Sequence, residues 1–257
     1  MKKFLVIRRS QLRAFEEPYA RCPDANGRRS HKGRASARSA ARRGFDPKCP
    51  NKVLFSLLTP GASSATAAED NLKAGRTAST LMAKKDLHTM GRRLQGCKKP
   101  PCRWWFRKTG LEHGIPPALL AAIASRESRG GSYNVLRKDG LSRDYPKNKG
   151  YGLMQLDLNF HRDATEHAPF SYQHIDQAAA VLSKLLAEVK EKFPDWSEAW
   201  QLRGMLVAYN AGVDSVRSMN EHIDDGTTHD DYSSDIWQRA RHYALHHQVM
   251  LGKHCRR

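Results

Sequence analysis

Glu127 stands at the end of an apolar stretch that reads PPALLAAIASRESRGG. If residues 117–129 form a helix, Leu120, Ile123 and Glu127 fall close to one face of it. Burial beside apolar side chains and the negative end of the helix dipole both disfavour an ionised carboxylate, so the pKa of Glu127 is expected to be raised. A carboxyl group that keeps its proton near neutral pH can act as a general acid. The alternative, on composition alone, is an ordinary helix-end ion pair with a neighbouring arginine.

Two short blocks further along the chain place polar side chains in apolar surroundings: GYGLMQLD at 150–157 and AYNAG at 208–212. Gln155, Tyr209 and Asn210 can each hydrogen-bond a sugar hydroxyl or an N-acetyl group, and the neighbouring glycines let a ligand approach the backbone closely. Each block by itself could equally be a capped element of the core. Together with Glu127 they indicate a sugar-binding cleft with an acid in it.

The elements that must hold these residues are mainly helices. Apolar residues at helical spacing, and the Pro and Gly residues that bound them, predict helices that start at about Thr80 and over 117–129, 178–193, 196–210 and 231–248. The segment 95–113 contains Gly and two prolines, and its three adjacent aromatic residues from Trp104 to Phe106 are expected in the core or a lid. Residues 132–152 are rich in turn formers and predict a loop or a small hairpin. The predicted fold class is therefore mainly α, with one irregular lobe.

The net charge of +18 is unevenly distributed, since residues 1–58 carry +11 and the remainder +7. Such a chain is attracted to polyanions, which include nucleic acid, anionic membranes and bacterial wall polymers. Residues 1–58 have little apolar periodicity and are expected to form a basic, disordered extension. The five cysteines do not predict a complete disulfide framework or a tetrahedral metal site, although Cys97 and Cys102 could close a small loop.

The amino terminus MKKFLVIRRS begins like a signal peptide, but its apolar run has only four residues where about 7 to 15 are expected. No stretch approaches the roughly 20 apolar residues of a membrane-spanning helix. The sequence therefore predicts no membrane span and shows no complete export signal, which leaves a cytoplasmic location or non-classical secretion open.

Three motifs in order, SRES, GLMQ and AYNAG, resemble those of the goose-type (g-type) lysozymes and, more distantly, of the bacterial soluble lytic transglycosylases. The resemblance to g-type lysozyme runs from about Thr59 to Gln248 and includes FPDWSEAWQLRGMLVAYNAG and GTTHDDYSSDIWQRARHY. It implies an α+β lysozyme-like fold in which a helical domain carries a small β/loop lobe beside the active-site cleft. The implied organisation is a catalytic domain at 59–250 between the basic extension and a basic tail at 251–257.

The same resemblance implies hydrolysis of the β-1,4 bond between N-acetylmuramic acid and N-acetylglucosamine in peptidoglycan. Glu127 falls on the family's catalytic acid, and Asp157 on one of two aspartates near the catalytic water. Asp144 is the candidate for the second aspartate, but the loop KDGLSRDYPKNKG is longer than usual and lacks the family's Trp, so Asp139 competes for the role. Lytic transglycosylases usually follow GLMQ with apolar residues and proline, so Asp157 favours a hydrolase.

Five residues match the family's sugar-binding positions: Gln155, His161, Tyr209, Asn210 and Tyr232. His161 could instead be a surface histidine and Tyr232 a packing residue at a helix start. The expected protein is an extracellular monomer that needs no cofactor or metal, with peptidoglycan and anionic wall polymers as partners and no specific nucleic acid. The alternatives are a lytic transglycosylase, a peptidoglycan-binding protein that has lost hydrolysis, and a nucleic-acid binder acting through residues 1–58.

Overall fold

Residues 66–94 and 103–246 are described in this computed structural model, with side chains from 79 to 94 and from 105 to 244. Over these residues the chain forms six α-helices and one short hairpin. The helices are α1 (Thr66–Arg93), α2 (Arg103–His113), α3 (Pro117–Ser128), α4 (Tyr172–Lys192), α5 (Glu198–Ala211) and α6 (Tyr232–His246). Strands β1 (Gly150–Tyr151) and β2 (Leu156–Asp157) pair antiparallel. The prediction of a mainly α, lysozyme-like fold is confirmed.

Helix α3 begins and ends where its sequence predicts. Pro117 occupies the first helical position, where a missing N–H costs no hydrogen bond. After Ser128 the backbone of Arg129 turns into the left-handed region, at φ 49° and ψ 45°, and its N–H donates to the carbonyl of Ser125. Gly130 follows, and a Cβ there would lie 2.4 Å from the carbonyl oxygen of Asp86 in α1, so only glycine permits this close approach.

The core forms around α3, which packs against α1, α2 and α6. Its side chains from Pro117 to Ser125 are all buried, so the helix is surrounded and does not present the single apolar stripe that its spacing suggested. Leu119, Leu120 and Ile123 have no exposed surface, and each such side chain contributes about 1.5–3 kcal/mol on burial. Glu127 therefore projects from the last turn of a helix that the core fixes on every side.

Three helices differ from the sequence prediction, and one of them is α4, which begins at Tyr172 and not at 178. Helix α1 starts at Thr66, not near Thr80, because its first half has helix-forming alanines without a regular apolar pattern. Helix α2 lies within the segment 95–113, for which no helix was predicted; Gly96 and both prolines precede Arg103, whereas Gly110 lies inside the helix. Phe106 of α2 is 1% exposed and belongs to the core, as predicted for the aromatic cluster.

The remaining helices enclose the hairpin and complete the core. Ser171 caps α4 by accepting a hydrogen bond from the backbone N–H of His174, and Phe193 ends it just before Pro194. Helix α4 buries the stripe Ile175, Ala178, Ala179, Leu182, Leu186 and Val189, most of which the periodicity predicted. Helix α5 is buried over 201–208 and packs between α4 and α6.

Several predictions concern residues outside the described ranges: the disordered extension at 1–58, the tail at 251–257 and the cysteines. Within the described residues, no helix is long and apolar enough to cross a bilayer. The same residues contain no group of three or more His, Cys, Asp or Glu side chains arranged to hold a metal ion.

Candidate active site

Glu127 combines a partly buried carboxyl group with a single direct hydrogen-bond donor among the described side chains. The hydroxyl of Tyr232 donates to its Oε1. Burial raises the pKa of Glu127 from 4.5 to about 7, against the opposing effects of the Tyr232 hydrogen bond and the charge of Arg126. Arg126 forms no salt bridge with Glu127, because it is engaged by Asp231 and Asp235. Desolvation thus dominates, as the position of Glu127 at the end of an apolar helix predicted.

Tyr232 is the first residue of α6 and is 1% exposed. The sequence offered two interpretations of it, a sugar-binding residue or a packing residue at a helix start. Its ring is indeed buried, while its hydroxyl is directed at Glu127. A hydroxyl that donates to a carboxylate stabilises the ionised form, so Tyr232 moderates the effect of burial on the pKa of Glu127.

Tyr209 bonds the hairpin and lies near the charge of Glu127. Its hydroxyl donates to the backbone carbonyl of Met154 at 2.7 Å. Burial and then the nearby charge of Glu127 raise the pKa of Tyr209, so the phenol remains protonated. The AYNAG block at the end of α5 and the GLMQ block of the hairpin therefore meet beside the candidate acid, as the cleft prediction required.

The hairpin turn between β1 and β2 depends on unusual backbone geometry. Gly152 has φ +72°, and a Cβ there would lie 2.5 Å from ring atoms of His174. Gln155 is also left-handed, with φ 51°, and its side-chain amide donates to the carbonyl of Gly152 at 2.8 Å. The Gln155 amide thus folds back onto the turn, and its oxygen lies against the backbone at Gly150.

Asp157 ends β2 opposite Gly150 and is partly buried. Its Oδ1 accepts a hydrogen bond from the backbone N–H of Asn159 at 2.8 Å. Its carbonyl accepts from the N–H groups of Phe160 and His161, which fixes the turn that follows the strand. His161 is partly exposed and begins a short 3₁₀ helix, Arg162–Glu166.

The two candidates for the second aspartate lie differently. Asp144 is exposed, and its Oδ1 accepts from the hydroxyl of Ser142 at 2.7 Å. The N–H of Ser142 donates to the carbonyl of Gly150, and Gly150 pairs with Asp157 across the hairpin. Asp144 is therefore connected to Asp157 through Ser142 and Gly150. Asp139 is also exposed but bonds the N–H of Leu141, and it lies 3.9 Å from the Arg137 guanidinium.

Asn210, at the end of α5, uses both ends of its side-chain amide on one residue. Its Nδ2 donates to the hydroxyl of Thr228 at 3.1 Å, and its Oδ1 accepts from the backbone N–H of Thr228 at 2.9 Å. The sequence suggested that this amide binds sugar. In the folded chain the amide bonds the segment that leads into Tyr232, and its contact with sugar stays a prediction.

Two contacts of the hairpin were not anticipated from the sequence. The hydroxyl of Ser128 lies 2.7 Å from the carbonyl of Leu153, which ties the residue after Glu127 to the GLMQ block. The Nε2 of His174 accepts from the backbone N–H of Met154 at 3.1 Å, and burial lowers the pKa of His174 to about 4, so the ring is neutral at neutral pH. His174 lies in the first turn of α4, before the predicted start at 178, so the sequence pattern gave no sign of it.

A buried ionic network beneath α3 was also missed. Arg126 donates to Asp235 at 2.7 Å, Asp235 accepts from Arg239 at 2.9 Å, and Arg239 donates to Asp86 at 3.1 Å and to Ser125 at 2.7 Å. These contacts join α1, α3 and α6 next to Glu127. Asp235 and Arg239 are four residues apart on α6, but the other three pairs are more than 100 residues apart, so local patterns could not identify the network.

Comparison with known proteins gives a consistent result. A family model described as lysozyme g matches residues 54–247. Lysozyme G of Dromaius novaehollandiae is 35% identical over 196 residues, which cover 76% of this chain and 87% of the relative. Lysozyme g of Gallus gallus is 36% identical over 189 residues (73% and 81%), and that of Epinephelus coioides 38% over 197 residues (74% and 94%).

Proposed function

This chain belongs to the lysozyme g family and is a glycoside hydrolase, and from that premise we propose that Glu127 is its general acid in cleaving peptidoglycan. The proposed bond is the β-1,4 linkage between N-acetylmuramic acid and N-acetylglucosamine. The observation that carries the assignment is the carboxyl group of Glu127, which is held by Tyr232 and has a pKa raised by burial to about 7. Such a group is largely protonated in mildly acidic solution and about half protonated at neutral pH, and its protonated form can donate to the leaving oxygen.

We propose an inverting reaction, in which a second carboxylate activates a water on the opposite face of the sugar. Asp157 is the first candidate base because it is partly buried at the end of the hairpin. Asp144 is the better candidate for the second aspartate. It accepts a hydrogen bond from Ser142, and Ser142 bonds Gly150, the residue that pairs with Asp157. Acid and base in such enzymes are separated by about 6.5–9.5 Å, which leaves room for the water.

Gln155, His161 and Tyr209 are proposed to bind the sugar residues. Tyr209 supports this role because its hydroxyl lies between the hairpin and Glu127 while retaining an acceptor lone pair. Gln155 and His161 flank Asp157 along the hairpin, and both are partly exposed. A glycan that reaches Glu127 along the hairpin would pass these three side chains.

Anionic wall polymers are proposed as a second contact of the lobe between α3 and β1. Six basic side chains are exposed there: Arg129, Arg137, Lys138, Arg143, Lys147 and Lys149. A concentration of positive charge attracts polyanions at long range and raises the local concentration of substrate. We accordingly propose extracellular action on bacterial walls and a role in defence against bacteria.

Product analysis tests the proposed reaction. The purified chain is incubated with isolated peptidoglycan, and the released muropeptides are identified by mass spectrometry. Hydrolysis gives reducing N-acetylmuramic acid ends, whereas a lytic transglycosylase gives 1,6-anhydro ends that are lighter by one water. Binding to peptidoglycan without released products would instead indicate a protein that has lost hydrolysis.

Matched aspartate variants test the assignment of the base. Asp157→Asn is expected to lower the rate most and Asp144→Asn less, while Asp139→Asn serves as the control, because its hydrogen bond lies within its own turn. A rate that falls only in Asp139→Asn would refute the assignment. NMR detection of the anomer first formed from a soluble oligosaccharide distinguishes inversion from retention.

A further inference from the structure

We propose that Asn210 is a positioning residue, which together with Arg126 holds the segment Thr228–Asp231 so that the hydroxyl of Tyr232 remains on Glu127. This inference rests on the proposed role of Glu127 as the general acid. It assigns to Asn210 a function in the orientation of that acid, in place of the sugar contact that its sequence context suggested.

The amide of Asn210 makes two hydrogen bonds to Thr228. One of its donors and its carbonyl oxygen both bond this residue, at 3.1 and 2.9 Å. Because the two bonds form together, they fix Thr228 in both position and orientation relative to the end of α5. An amide engaged in this way keeps one N–H and one acceptor lone pair, and its orientation is set by Thr228.

Arg126 holds the same segment from the side of α3. Its Nη2 donates to the carbonyl of Thr228 at 3.1 Å and to the carboxylate of Asp231 at 2.7 Å, and its Nη1 donates to Asp235 of α6 at 2.7 Å. The guanidinium thus contacts the residues on both sides of Tyr232. Because Arg126 directly precedes Glu127, the segment that leads into Tyr232 is bonded to the same turn of α3 that carries the acceptor, Glu127.

The backbone of the segment needs these contacts. His229 and Asp230 are consecutive residues in the left-handed region, with φ of 66° and 49°. Such conformations are sparsely populated by residues other than glycine and persist when surrounding contacts determine them. Without Asn210 and Arg126 the segment keeps the hydrogen bonds of its own turn, from Asp230 to Thr227 and from Gly226 to Asp230, but loses those that join it to α5 and α3. Tyr232 follows this segment directly in the chain.

The far side of Tyr232 is anchored independently. The carboxylate of Asp224 accepts from the N–H groups of Ser233 and Ser234, at 2.7 and 3.1 Å, which caps the start of α6. Arg203 of α5 pairs with the same carboxylate at 3.2 Å. Loss of Asn210 therefore loosens the segment before Tyr232 while α6 itself keeps its cap.

The effect on acidity has a defined sign. The groups that act on Glu127 are Tyr232 and Arg126, which lower its pKa, and it lies near the protonated Tyr209. The charges of Asp231 and Asp235 are paired with Arg126. If the hydroxyl of Tyr232 spends less time on the carboxyl group, the ionised form loses a donor and the pKa of Glu127 rises.

A double-mutant cycle on the intact chain tests the proposal, with initial rates of peptidoglycan hydrolysis measured against pH. Tyr232→Phe is expected to move the alkaline limb of the profile upward by about one pH unit. Asn210→Ala is expected to move it in the same direction by less and to lower the rate about tenfold through misorientation of the acid. In the Tyr232→Phe background, Asn210→Ala is expected to change neither further.

Thr228→Val provides a second, milder variant, since it removes only the hydroxyl that accepts from Asn210. Asn220→Ala is the matched control. Asn220 is an exposed asparagine whose side-chain oxygen also accepts a hydrogen bond from a backbone N–H, that of His222, at 2.9 Å. Asn220→Ala is expected to leave the pH profile unchanged. The proposal is overturned if Asn210→Ala leaves the alkaline limb of the pH profile unmoved and its effect on the rate multiplies with that of Tyr232→Phe. Asn210 would then be assigned to sugar binding. If Glu127→Gln retains full activity, the proposed function fails first.

Discussion

Replacing Glu127 by Gln is expected to abolish most activity and, at the same time, to stabilise the protein above neutral pH. Gln keeps the shape of the side chain and an oxygen that can accept from Tyr232, but it cannot ionise. Loss of a positioned proton donor lowers the rate by about 10²- to 10⁴-fold. The stability gain follows from the same burial that raises the pKa of Glu127 to about 7.

The magnitude comes from the difference between 4.5, the ordinary pKa, and about 7 in the folded protein. In this range the folded state binds the proton more tightly than the unfolded state, so stability falls as pH rises from 4.5 to 7 and is constant above. Each pKa unit corresponds to 1.36 kcal/mol, so ionisation of Glu127 costs the native state up to about 3 kcal/mol. Glu127→Gln removes this cost at pH 8 and has nothing to remove at pH 4.

Chemical denaturation of both proteins at pH 4 and pH 8 measures the effect. The expected difference in the free energy of unfolding is close to zero at pH 4 and up to about 3 kcal/mol in favour of Glu127→Gln at pH 8, since all other titrating groups are shared. In a thermal scan this corresponds to an increase in Tm of about 6–12 °C. Equal stability of the two proteins at both pH values would show that burial does not penalise the carboxylate, and the physical basis of the acid assignment would be wrong.

Three further variants probe the scaffold of the site. Gly152→Ala is expected to destabilise the chain by well over 1 kcal/mol more than Gly114→Ala in urea denaturation, since both have φ near +70° but only Gly152 meets the His174 ring. Equal losses would indicate backbone strain alone. Arg203→Leu leaves the buried carboxylate of Asp224 without its cation and is expected to cost about 3–5 kcal/mol, and a loss below 1 kcal/mol would contradict this. His174→Phe leaves the N–H of Met154 without its acceptor, at a cost of about 1–3 kcal/mol, and removes a pH dependence between 4 and 6.5 that the same titration measures.

The helices and the acid could be predicted because their signals are local. The two prolines and the glycines that bound α3, the stripe of α4 and the apolar residues before Glu127 are all contained in short segments of sequence. The raised pKa of Glu127 also followed, since it depends mainly on burial at the end of an apolar helix. Long-range pairing was outside the reach of such patterns, and so Tyr232 could be matched to the cleft but not to Glu127 itself.

Sequence context alone does not identify the hydrogen-bond partners that a polar side chain finds in the folded chain. Asn210 sits in AYNAG, a block typical of a sugar cleft, yet its amide bonds Thr228, 18 residues away. Ser128 follows the acid in SRES and contacts the carbonyl of Leu153, 25 residues away. In both cases the residue type is equally suitable for a ligand and for a loop, and only the folded chain determines which partner is near.

The two buried titratable groups beside the hairpin shift in opposite directions, and this bounds the pH range in which the site is intact. His174 must be neutral to accept from Met154, so stability is lost as pH falls from 6.5 to about 4. Glu127 must be protonated to act as the acid, and stability is lost as pH rises from 4.5 to about 7. Between pH 4.5 and 6.5 the two contributions have opposite slopes, each at most 1.36 kcal/mol per unit, and largely cancel. The protonated Glu127 and the hairpin held by neutral His174 therefore coexist between about pH 4 and 7. A site with Glu127 alone would be most stable at the acidic end of that range, and a site with His174 alone at the alkaline end.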